Sequence, residues 1–310
     1  MRILFVSSGN TKWGISPFVW RQGQSLIQEG CTVDFFGIKK GGLIGYIRES
    51  FRLSAHLKRN TYEVIHVHYS LSGLVLLLTG YRGNRILSLM GDDAYGTYNQ
   101  RGKRKWVSLI EMGYTQLIQL YFPTVISKSE EISRYVWRRR SFVVPNGVNT
   151  DKFKLLSREE CRRKLGLPYD KLVVMFLGNK SNGRKNYPLF SSAINACSRK
   201  DIHVHTPYPL NPDDVHVHLN ASDILVHPSI KEGSPNLVKE ALFCGCGVIS
   251  TKVGDVKKLF ENQKGCKLVD FSPNDLAELI DSWPNKEWDR YSSLSWLTEK
   301  SIAEELLKIY

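Results

Sequence analysis

This chain of 310 residues lacks long apolar runs and paired cysteines. Its longest strongly apolar stretch, residues 71–79, is too short to span a bilayer, and the residues after Met1 do not form the apolar core of a signal peptide. The six cysteines include no C-x-x-C pair, which is typical of reduced, packed thiols and argues against disulfides. Internal repeats and low-complexity segments are also absent. We therefore expect a cytoplasmic protein.

Positive charge is in excess, and it is spread unevenly along the chain. Residues 1–146 hold 20 Lys and Arg against 9 Asp and Glu, a net charge of +11, whereas residues 147–310 hold 23 against 21, a net charge of +2. Basic clusters at 101–105 and 138–140 have Trp106 and Trp137 beside them. Such clusters favour an anionic membrane surface or an acidic acceptor as partner, or form a solvated basic face. No recognisable nucleic-acid reading module accompanies them, so we expect no nucleic acid partner.

Short apolar runs alternate with helical patterns along nearly the whole chain. The predicted strands are residues 2–7, 31–36, 64–68, 85–89, 124–126, 142–144, 171–177, 222–229 and 247–251, and the predicted helices include one ending at 28 and those over 103–121, 129–137, 187–197 and 301–310. This alternation predicts parallel sheets with helices on both faces. A turn at 145–147 and the change in charge place a domain boundary near residue 146. We therefore predict two doubly wound α/β domains, 1–146 and 147–295, with a terminal helical segment over 296–310.

The segment 232–240 has the pattern of a helix that opens toward an anion. Ser234 is a good N-cap and Pro235 fits the first helical position, while apolar residues downstream give the helix a buried face. The unpaired amides of Asn236 and Leu237 then point outward at the positive end of the helix dipole, a place suited to phosphate. A Ser-Pro start on an ordinary amphipathic helix is the alternative interpretation.

Two carboxylates and a second loop extend this pattern. Glu232 precedes the turn, and Glu240 lies four residues beyond Asn236 on the same helix face, within reach of a ribose. The loop 178–186, which starts at Gly178 and carries basic side chains after a strand, is also of a type that binds phosphate. Because both loops follow parallel strands, the sequence predicts that they converge on one crevice at the carboxyl edge of the sheet.

Over nearly its full length the chain resembles the retaining GT-B glycosyltransferases of family 4. Residues 228–242 resemble the Glu-x7-Glu segment of that family, and residues 253–255 follow with the family-like sequence Val-Gly-Asp. Weaker matches are Gly14, residues 64–68, residues 145–148 with Phe153, and Lys185-Asn186 after Gly178. The resemblance implies two Rossmann-like domains facing a central cleft, with the acceptor side in the first domain and the nucleotide-sugar donor bound by the second. It also implies that the terminal helix over 296–310 returns to the first domain.

The same resemblance implies roles for residues of the second domain. Glu232 is implied to contact hydroxyls of the donor sugar, Glu240 the ribose, and Lys185 the diphosphate. The amides from Gly233 to Leu237 are implied to surround phosphate and sugar. The implied substrate is therefore a UDP- or GDP-linked sugar, and no separate cofactor is expected.

Two further positions complete the implied site. The family places an arginine shortly before its lysine, and Arg184 is our candidate for it, with Lys180 as the alternative. Gly14 is implied to let a loop of the first domain approach the diphosphate without a side-chain clash. Cationic side chains stabilise a departing nucleoside diphosphate and replace a metal ion in that task. Transfer is thus implied to need neither a metal nor a protein nucleophile.

Three pairs of histidines invite a metal hypothesis, since His66, His203 and His216 each have a second histidine two residues later. In a strand, residues two apart share a face, so each pair is spaced to chelate zinc. No set of cysteines or carboxylates completes a site around them in the sequence. We therefore expect no metal.

Met90 departs from the pattern of the family. Many members have His-Gly after the fourth strand of the first domain, whereas this chain has Met90-Gly91, and methionine cannot donate the hydrogen bond that histidine offers the sugar. A catalytically impaired nucleotide-sugar-binding protein is therefore one alternative, and a nucleotide-sugar epimerase of GT-B architecture is another. The leading prediction is a glycosyltransferase that moves a hexose or hexosamine to a hydroxyl of a glycan or lipid-linked acceptor, in the cytoplasm or at the inner face of the cell membrane.

Overall fold

The structure is a computed structural model that describes residues 1–10, 14–99, 102–284 and 292–310. The chain divides into two compact units. The first comprises Met1–Thr97, Lys105–Gly147 and Trp296–Tyr310, and the second comprises Tyr98–Arg104 and Val148–Ser295. Within the described ranges, no helix is both long and apolar enough to cross a bilayer.

Strands and helices alternate through both units. In the first unit these elements are β1 (Arg2–Ser8), α1 (Pro17–Gln28), β2 (Thr32–Ile38), α2 (Gly42–Arg59), β3 (Val64–His68), α3 (Ser70–Leu78), β4 (Arg85–Leu89), α4 (Asp92–Tyr95), α5 (Ser108–Ile118), β5 (Thr124–Ser127), α6 (Glu130–Ser133) and β6 (Ser141–Val143). In the second they are α7 (Arg158–Leu165), β7 (Leu172–Met175), α8 (Tyr187–Ala196), β8 (Ile202–His205), α9 (Val215–Ala221), β9 (Ile224–His227), α10 (Asn236–Phe243), β10 (Gly247–Thr251), α11 (Val256–Leu259), β11 (Cys266–Val269) and α12 (Pro273–Asp281). The last helix, α13 (Glu299–Ile309), belongs to the first unit, and short 3-10 turns lie at Gly183–Lys185 and Ser292–Leu297.

The first unit is built on a parallel sheet in the order β2-β1-β3-β4-β5-β6. Its central strands β1 and β3 are buried on both sides, as expected for strands covered by helices on two faces. Ile3 and Phe5 of β1 pack in one buried cluster with Ile302 and Leu306 of α13. The terminal helix is therefore part of the core of this unit.

The second unit has a parallel sheet in the order β11-β10-β9-β7-β8. On one face Val174 and Ile249 pack with Phe190 of α8 and Leu276 of α12. On the other face Val173 lies in a cluster with residues of α7 and α9. Helices thus cover both faces, and the loops that leave the carboxyl edge are held by a packed sheet.

The predicted class of two doubly wound parallel-sheet domains is confirmed. The strands predicted at 64–68, 85–89 and 247–251 have these bounds in the structure. Two predicted helices are too long, because 103–121 is helical only over α5 and 129–137 only over α6. The first begins late because Arg104 pairs with Tyr98 in an antiparallel bridge, which requires extended backbone.

Candidate functional site

The candidate site lies at the carboxyl ends of β7 and β9, which are neighbours in the second sheet. Because parallel strands end at the same edge of a sheet, the loops 176–186 and 228–235 leave this edge together. The amide of Ile230 donates to the carbonyl of Arg184 over 2.8 Å and ties the two loops to each other. The structure therefore contains the loop convergence that the sequence predicts.

Two basic side chains and one carboxylate meet between these loops. Arg184 Nη1 lies 2.9 Å from Glu232 Oε2, and Lys185 Nζ lies 2.6 Å from Glu232 Oε1. The Asn182 side chain accepts from the amide of Arg184 and caps the 3-10 turn that carries both cations. Ser229 Oγ donates to Glu232 Oε1 over 3.0 Å. The three residues predicted as catalytic thus form one hydrogen-bonded cluster.

The Glu232 carboxylate is buried and is held in its charged form. Burial alone would raise its pKa, but Lys185, the His227 imidazole 3.6 Å away and the charge of Arg184 outweigh burial, so the pKa lies well below its usual range. Burial lowers the pKa of the His227 imidazole. A carboxylate that stays charged near neutral pH keeps two cations in place at the sheet edge.

Gly178 lies directly against the side chain of Lys185. An ideal Cβ built on Gly178 would come within 3.3 Å of Lys185 Cγ, which is closer than most Cβ contacts in proteins. Lys180, the alternative candidate cation, places its Nζ 4.7 Å from the centre of the Tyr187 ring. Arg184 is therefore the candidate that the structure pairs with Glu232 alongside Lys185.

Helix α10 begins later than the sequence predicts. Pro235 occupies the cap position with φ −70° and ψ 107°, and Asn236 is the first helical residue. The prediction that Ser234 caps this helix is wrong, because its Oγ accepts from Lys239 Nζ rather than from a helix amide and donates to Asp255 Oδ2 over 2.6 Å. A hydrogen bond from an ammonium group is stronger than one from a neutral helix amide, which explains why the oxygen of Ser234 faces Lys239.

A buried lysine supports the turn before α10 from within the unit. Lys239 is fully buried, and its Nζ lies 3.1 Å from Ser234 Oγ. Burial raises the pKa of Asp255, and the charge of Lys239 opposes this shift. Lys239, Ser234 and Asp255 therefore form a polar chain that fixes the turn. Sequence reasoning missed Lys239, although a charged residue between buried Val238 and Ala241 was a usable signal.

A second loop closes on this turn at Gly254. Gly254 has a φ of +56°, in the left-handed region that favours glycine. An ideal Cβ at this position would lie 2.4 Å from the carbonyl oxygen of Gly233. Because the obstacle is backbone, no side chain fits there. Gly233, one of the predicted phosphate-binding residues, thus lies in a turn held from two sides.

The remaining predicted donor-binding residues lie on one side of α10. Asn236, Leu237 and Glu240 are partly exposed, whereas Val238 and Ala241 are buried. The spacing of four residues puts Glu240 about 6 Å from Asn236 along the helix axis. The accessible side of α10 therefore offers the amides of its first turn together with one carboxylate.

Gly14 and Met90 belong to the first unit. Gly14 has a φ of +72°, and a Cβ there would meet no atom within 4 Å; the preceding residues 11–13 lie outside the described part of the chain. Met90 is half-buried after β4, and its amide donates to Asp93 Oδ1 over 2.9 Å. The roles of Gly14 and Met90 toward a donor stay predictions.

Sequence reasoning missed Asp93, which is fully buried after β4. Its carboxylate accepts from the amides of Met90 and Gly91 over 2.9 Å and of Ser70 over 3.1 Å. Burial raises the pKa of Asp93 to about 6, and the three amide hydrogen bonds oppose this shift. The signal in the sequence was the adjacent pair at 92–93, which is ordinary at the start of a helix.

The histidine pairs do not assemble into a larger cluster. Among the residues that the structure describes, no group of three or more His, Cys, Asp or Glu side chains is placed to hold a metal ion. His216 and His218 lie on helix α9 rather than on a strand, so they do not share a face. His218 Nδ1 instead lies 2.7 Å from His205 Nε2, and burial lowers the pKa of His205 to about 4.

Comparison with known proteins gives one family match and distant relatives. Residues 168–295 match the family described as Glycosyl transferases group 1. TuaC of Bacillus subtilis (strain 168), a candidate glycosyltransferase of teichuronic acid biosynthesis, is 26% identical over 249 residues. This alignment covers 73% of the present chain and 62% of TuaC, so the chain spans less than two thirds of that relative.

Solved structures share the fold over almost the whole chain. Sucrose-phosphate synthase of Thermosynechococcus elongatus superposes with a TM-score of 0.77 at 17% identity, covering 100% of this chain and 98% of that one. HepE of Anabaena in complex with UDP-glucose gives 0.72 at 14% identity, covering 99% and 94%. Structural similarity at 14–17% sequence identity establishes the fold of this chain. Residues 168–295 thus match the group 1 glycosyl transferases, and the chain has the GT-B fold of glycosyltransferases.

Proposed function

We propose that this protein transfers a hexose or hexosamine from a UDP- or GDP-linked sugar to a hydroxyl of a glycan or lipid-linked acceptor. The observation that carries the proposal is the cluster of Lys185, Arg184 and Glu232 beside the first turn of α10. Two cations and a set of helix amides at one sheet edge suit a diphosphate. The match to group 1 glycosyl transferases and the complex of HepE with UDP-glucose support this assignment.

In the proposed mechanism the diphosphate of the donor replaces the Glu232 carboxylate as the anion paired with Lys185 and Arg184. Glu232 pairs with both Lys185 and Arg184 before the donor binds and offsets one of their two positive charges. The incoming diphosphate takes over both cations, and the released Glu232 carboxylate accepts hydrogen bonds from hydroxyls of the donor sugar. The Glu240 carboxylate, on the accessible side of α10, accepts from the ribose in the same way.

The charge that develops during the reaction lies on the leaving group. When the bond between sugar and phosphate breaks, the electron pair stays on the nucleoside diphosphate, where Lys185 and Arg184 stabilise it. A phosphate oxygen of the donor takes the proton of the acceptor hydroxyl, which attacks from the face that the leaving group vacates. The anomeric configuration is thereby retained without a protein nucleophile or a metal ion.

Titration of UDP and GDP against variants tests the donor site. Lys185→Ala is expected to weaken nucleoside diphosphate binding at least tenfold and to lower transfer by about 10²–10³, the cost of removing one donor from a developing oxyanion. Glu232→Ala is expected to lower transfer as well, but to leave UDP or GDP binding equal or tighter, because the competing carboxylate is gone. Lys180→Ala is the matched control in the same loop and keeps both properties. Unchanged binding and turnover in Lys185→Ala would show that the site is misassigned.

Incubations without acceptor separate the proposal from its alternatives. The transferase is expected to leave most of the donor intact until an acceptor is added. An isomerised sugar formed from donor alone would instead indicate an epimerase. Tight donor binding without transfer to any of a broad acceptor panel would indicate a binding protein, above all if Met90→His restored transfer.

A further inference from the structure

Helix α5 of the first unit buries Ile118 but leaves three other aliphatic side chains on the outside. Leu109, Ile110 and Leu117 are 56%, 67% and 64% exposed, whereas Ser108 and Thr115 are buried. The hydroxyl of Thr115 forms a hydrogen bond inside the unit over 2.8 Å. An ordinary surface helix turns its apolar residues toward the core, whereas α5 leaves three of its four leucines and isoleucines mostly exposed. These three side chains therefore contribute little to the packing of this unit.

The exposed residues form one stripe that extends beyond both ends of α5. Positions 106, 110, 113, 117 and 120 recur at intervals of four and three residues, which places them on one helical face. Trp106 is 75% exposed before the helix, and Leu120 is 57% exposed after it. Trp137 lies alongside, because its Nε1 donates to the carbonyl of Gln116 over 3.1 Å while most of the side chain remains exposed. Two tryptophans thus frame an apolar stripe.

Positive side chains border the same stripe. Lys105 directly precedes Trp106, and Arg138 and Arg139 directly follow Trp137, all of them exposed or half-exposed. The carboxylate of α5, Glu111, is turned inward and accepts from the hydroxyl of Tyr69. The rim of the stripe is therefore basic, in keeping with the net charge of +11 over residues 1–146.

We propose that this surface docks on an anionic lipid bilayer. The docking surface, called the α5 face below, consists of Trp106, Leu109, Ile110, Leu117, Leu120 and Trp137. Its aliphatic side chains enter the acyl region, its tryptophans lie at headgroup level, and the basic rim binds anionic headgroups. A second copy of the chain fits less well, because a two-fold contact would set one basic rim against another. Docking needs neither donor nor acceptor, so it stands apart from the proposed transfer reaction.

Sedimentation of the full chain with lipid vesicles tests this surface. The probes are vesicles of phosphatidylcholine alone and of phosphatidylcholine mixed with phosphatidylglycerol. We expect the chain to pellet with the mixed vesicles at low salt and to bind the neutral ones at least about tenfold more weakly. The triple variant Leu109→Gln, Ile110→Gln and Leu117→Gln is expected to lose about tenfold in affinity for the mixed vesicles.

A matched control replaces exposed apolar residues of the second unit. Leu155→Gln with Phe271→Gln removes side chains of similar exposure and is expected to bind vesicles like the wild type. Unchanged melting temperatures show that both variants fold, which is expected because every replaced side chain is exposed. Quenching by bromine-labelled lipids, reduced in Trp106→Phe, would place the α5 face in the bilayer.

Three outcomes overturn the proposal. The first is equal binding of wild type and triple variant to the mixed vesicles, and the second is equal binding of the wild type to neutral and anionic vesicles. The third is a wild-type dimer in solution that the triple variant converts to a monomer, because the α5 face would then be an interface between copies of this chain.

Discussion

Both units bury a carboxylate at the carboxyl edge of a sheet, but they hold it in different ways. In the first unit Asp93 accepts hydrogen bonds from three backbone amides. In the second unit Glu232 pairs with the side chains of Lys185 and Arg184. Burial raises the pKa of Asp93 to about 6, whereas in Glu232 the cations outweigh burial and hold the pKa well below its usual range.

The difference separates a carboxylate that fixes a loop from one that can be exchanged. Backbone amides are part of the fold and cannot move away from Asp93 without unfolding the loop. The side chains of Lys185 and Arg184 are about one fifth exposed and can turn toward a ligand while the backbone stays in place. We infer that the edge of the second sheet is built to trade one anion for another, and that the edge of the first is built to keep its shape.

The largest expected effect comes from the polar chain under the turn before α10. Asp255→Asn removes the negative charge that faces fully buried Lys239, and an unmatched buried charge costs about 3–5 kcal/mol of unfolding free energy. The double variant Asp255→Asn with Lys239→Met removes both charges and is expected to recover most of this loss. Calorimetry is the appropriate measurement, because the transitions of two units can be separated. If the double variant lost more unfolding free energy than Asp255→Asn alone, the two charges would not stabilise each other as described.

The second prediction is that the contributions of Asp93 and Glu232 to stability depend on pH in opposite directions. The pKa of Asp93 is raised in the folded state, so its contribution to stability is complete below the unfolded value of about 4 and is lost as the pH rises through about 6. The pKa of Glu232 is lowered, so its contribution is present above the unfolded value of about 4.3 and is lost as the pH falls below it.

Two single variants measure these opposite slopes. The advantage of wild type over Asp93→Asn is expected to shrink by about 3 kcal/mol between pH 4 and pH 7, since a shift of about two units is worth that much. The advantage of wild type over Glu232→Gln is expected to shrink in the other direction, as the pH is lowered below about 4.5. If the stability difference between wild type and variant changed with pH in the same direction for both carboxylates, the two sheet edges would not differ as described.

A smaller effect is expected when one cation is removed from Glu232. Lys185→Met leaves the buried carboxylate with Arg184 and Ser229, so the loss of unfolding free energy is about 2 kcal/mol, less than for an uncompensated buried charge. Glu232→Gln is expected to cost about 1 kcal/mol, because the partly exposed cations can turn to water. Denaturant titration compares the two variants. An equal cost for both would show that the cations are as fixed as the amides around Asp93.

The sequence predicts the cation-held edge better than the amide-held edge. Lys185 and Glu232 are 47 residues apart, yet their meeting follows from one rule, that loops after neighbouring parallel strands share a sheet edge. Asp93 is held by amides whose direction depends on local backbone geometry after β4, and no residue pattern records that geometry. The prediction that Ser234 caps α10 fails for the same reason. The hydroxyl of Ser234 donates to Asp255, and the position of Asp255 depends on how another loop packs.

The α5 face shows a second limit of pattern reading. The sequence predicts a helix over 103–121 but not which of its sides is buried, because apolar residues occur on more than one side. Leu109 and Leu117 are residue types typical of a core, yet they are exposed, and α5 buries Ser108, Thr115 and Ile118 instead. Only the surrounding elements decide which side of such a helix is covered.

The last comparison tests two glycines with positive φ, one in each unit, and includes one of the smallest expected effects. Gly254→Ala forces a Cβ to within 2.4 Å of the Gly233 carbonyl oxygen, so we expect a loss of about 2 kcal/mol or more together with weaker UDP or GDP binding. The Cβ of Gly14→Ala would lie more than 4 Å from the other atoms that the structure describes, so the expected cost is the backbone strain of about 1 kcal/mol. Thermal unfolding and nucleotide titration of both variants give the comparison. Weaker nucleotide binding by Gly14→Ala at nearly unchanged stability would support the predicted role of Gly14 toward a diphosphate, and unchanged binding would argue against that role.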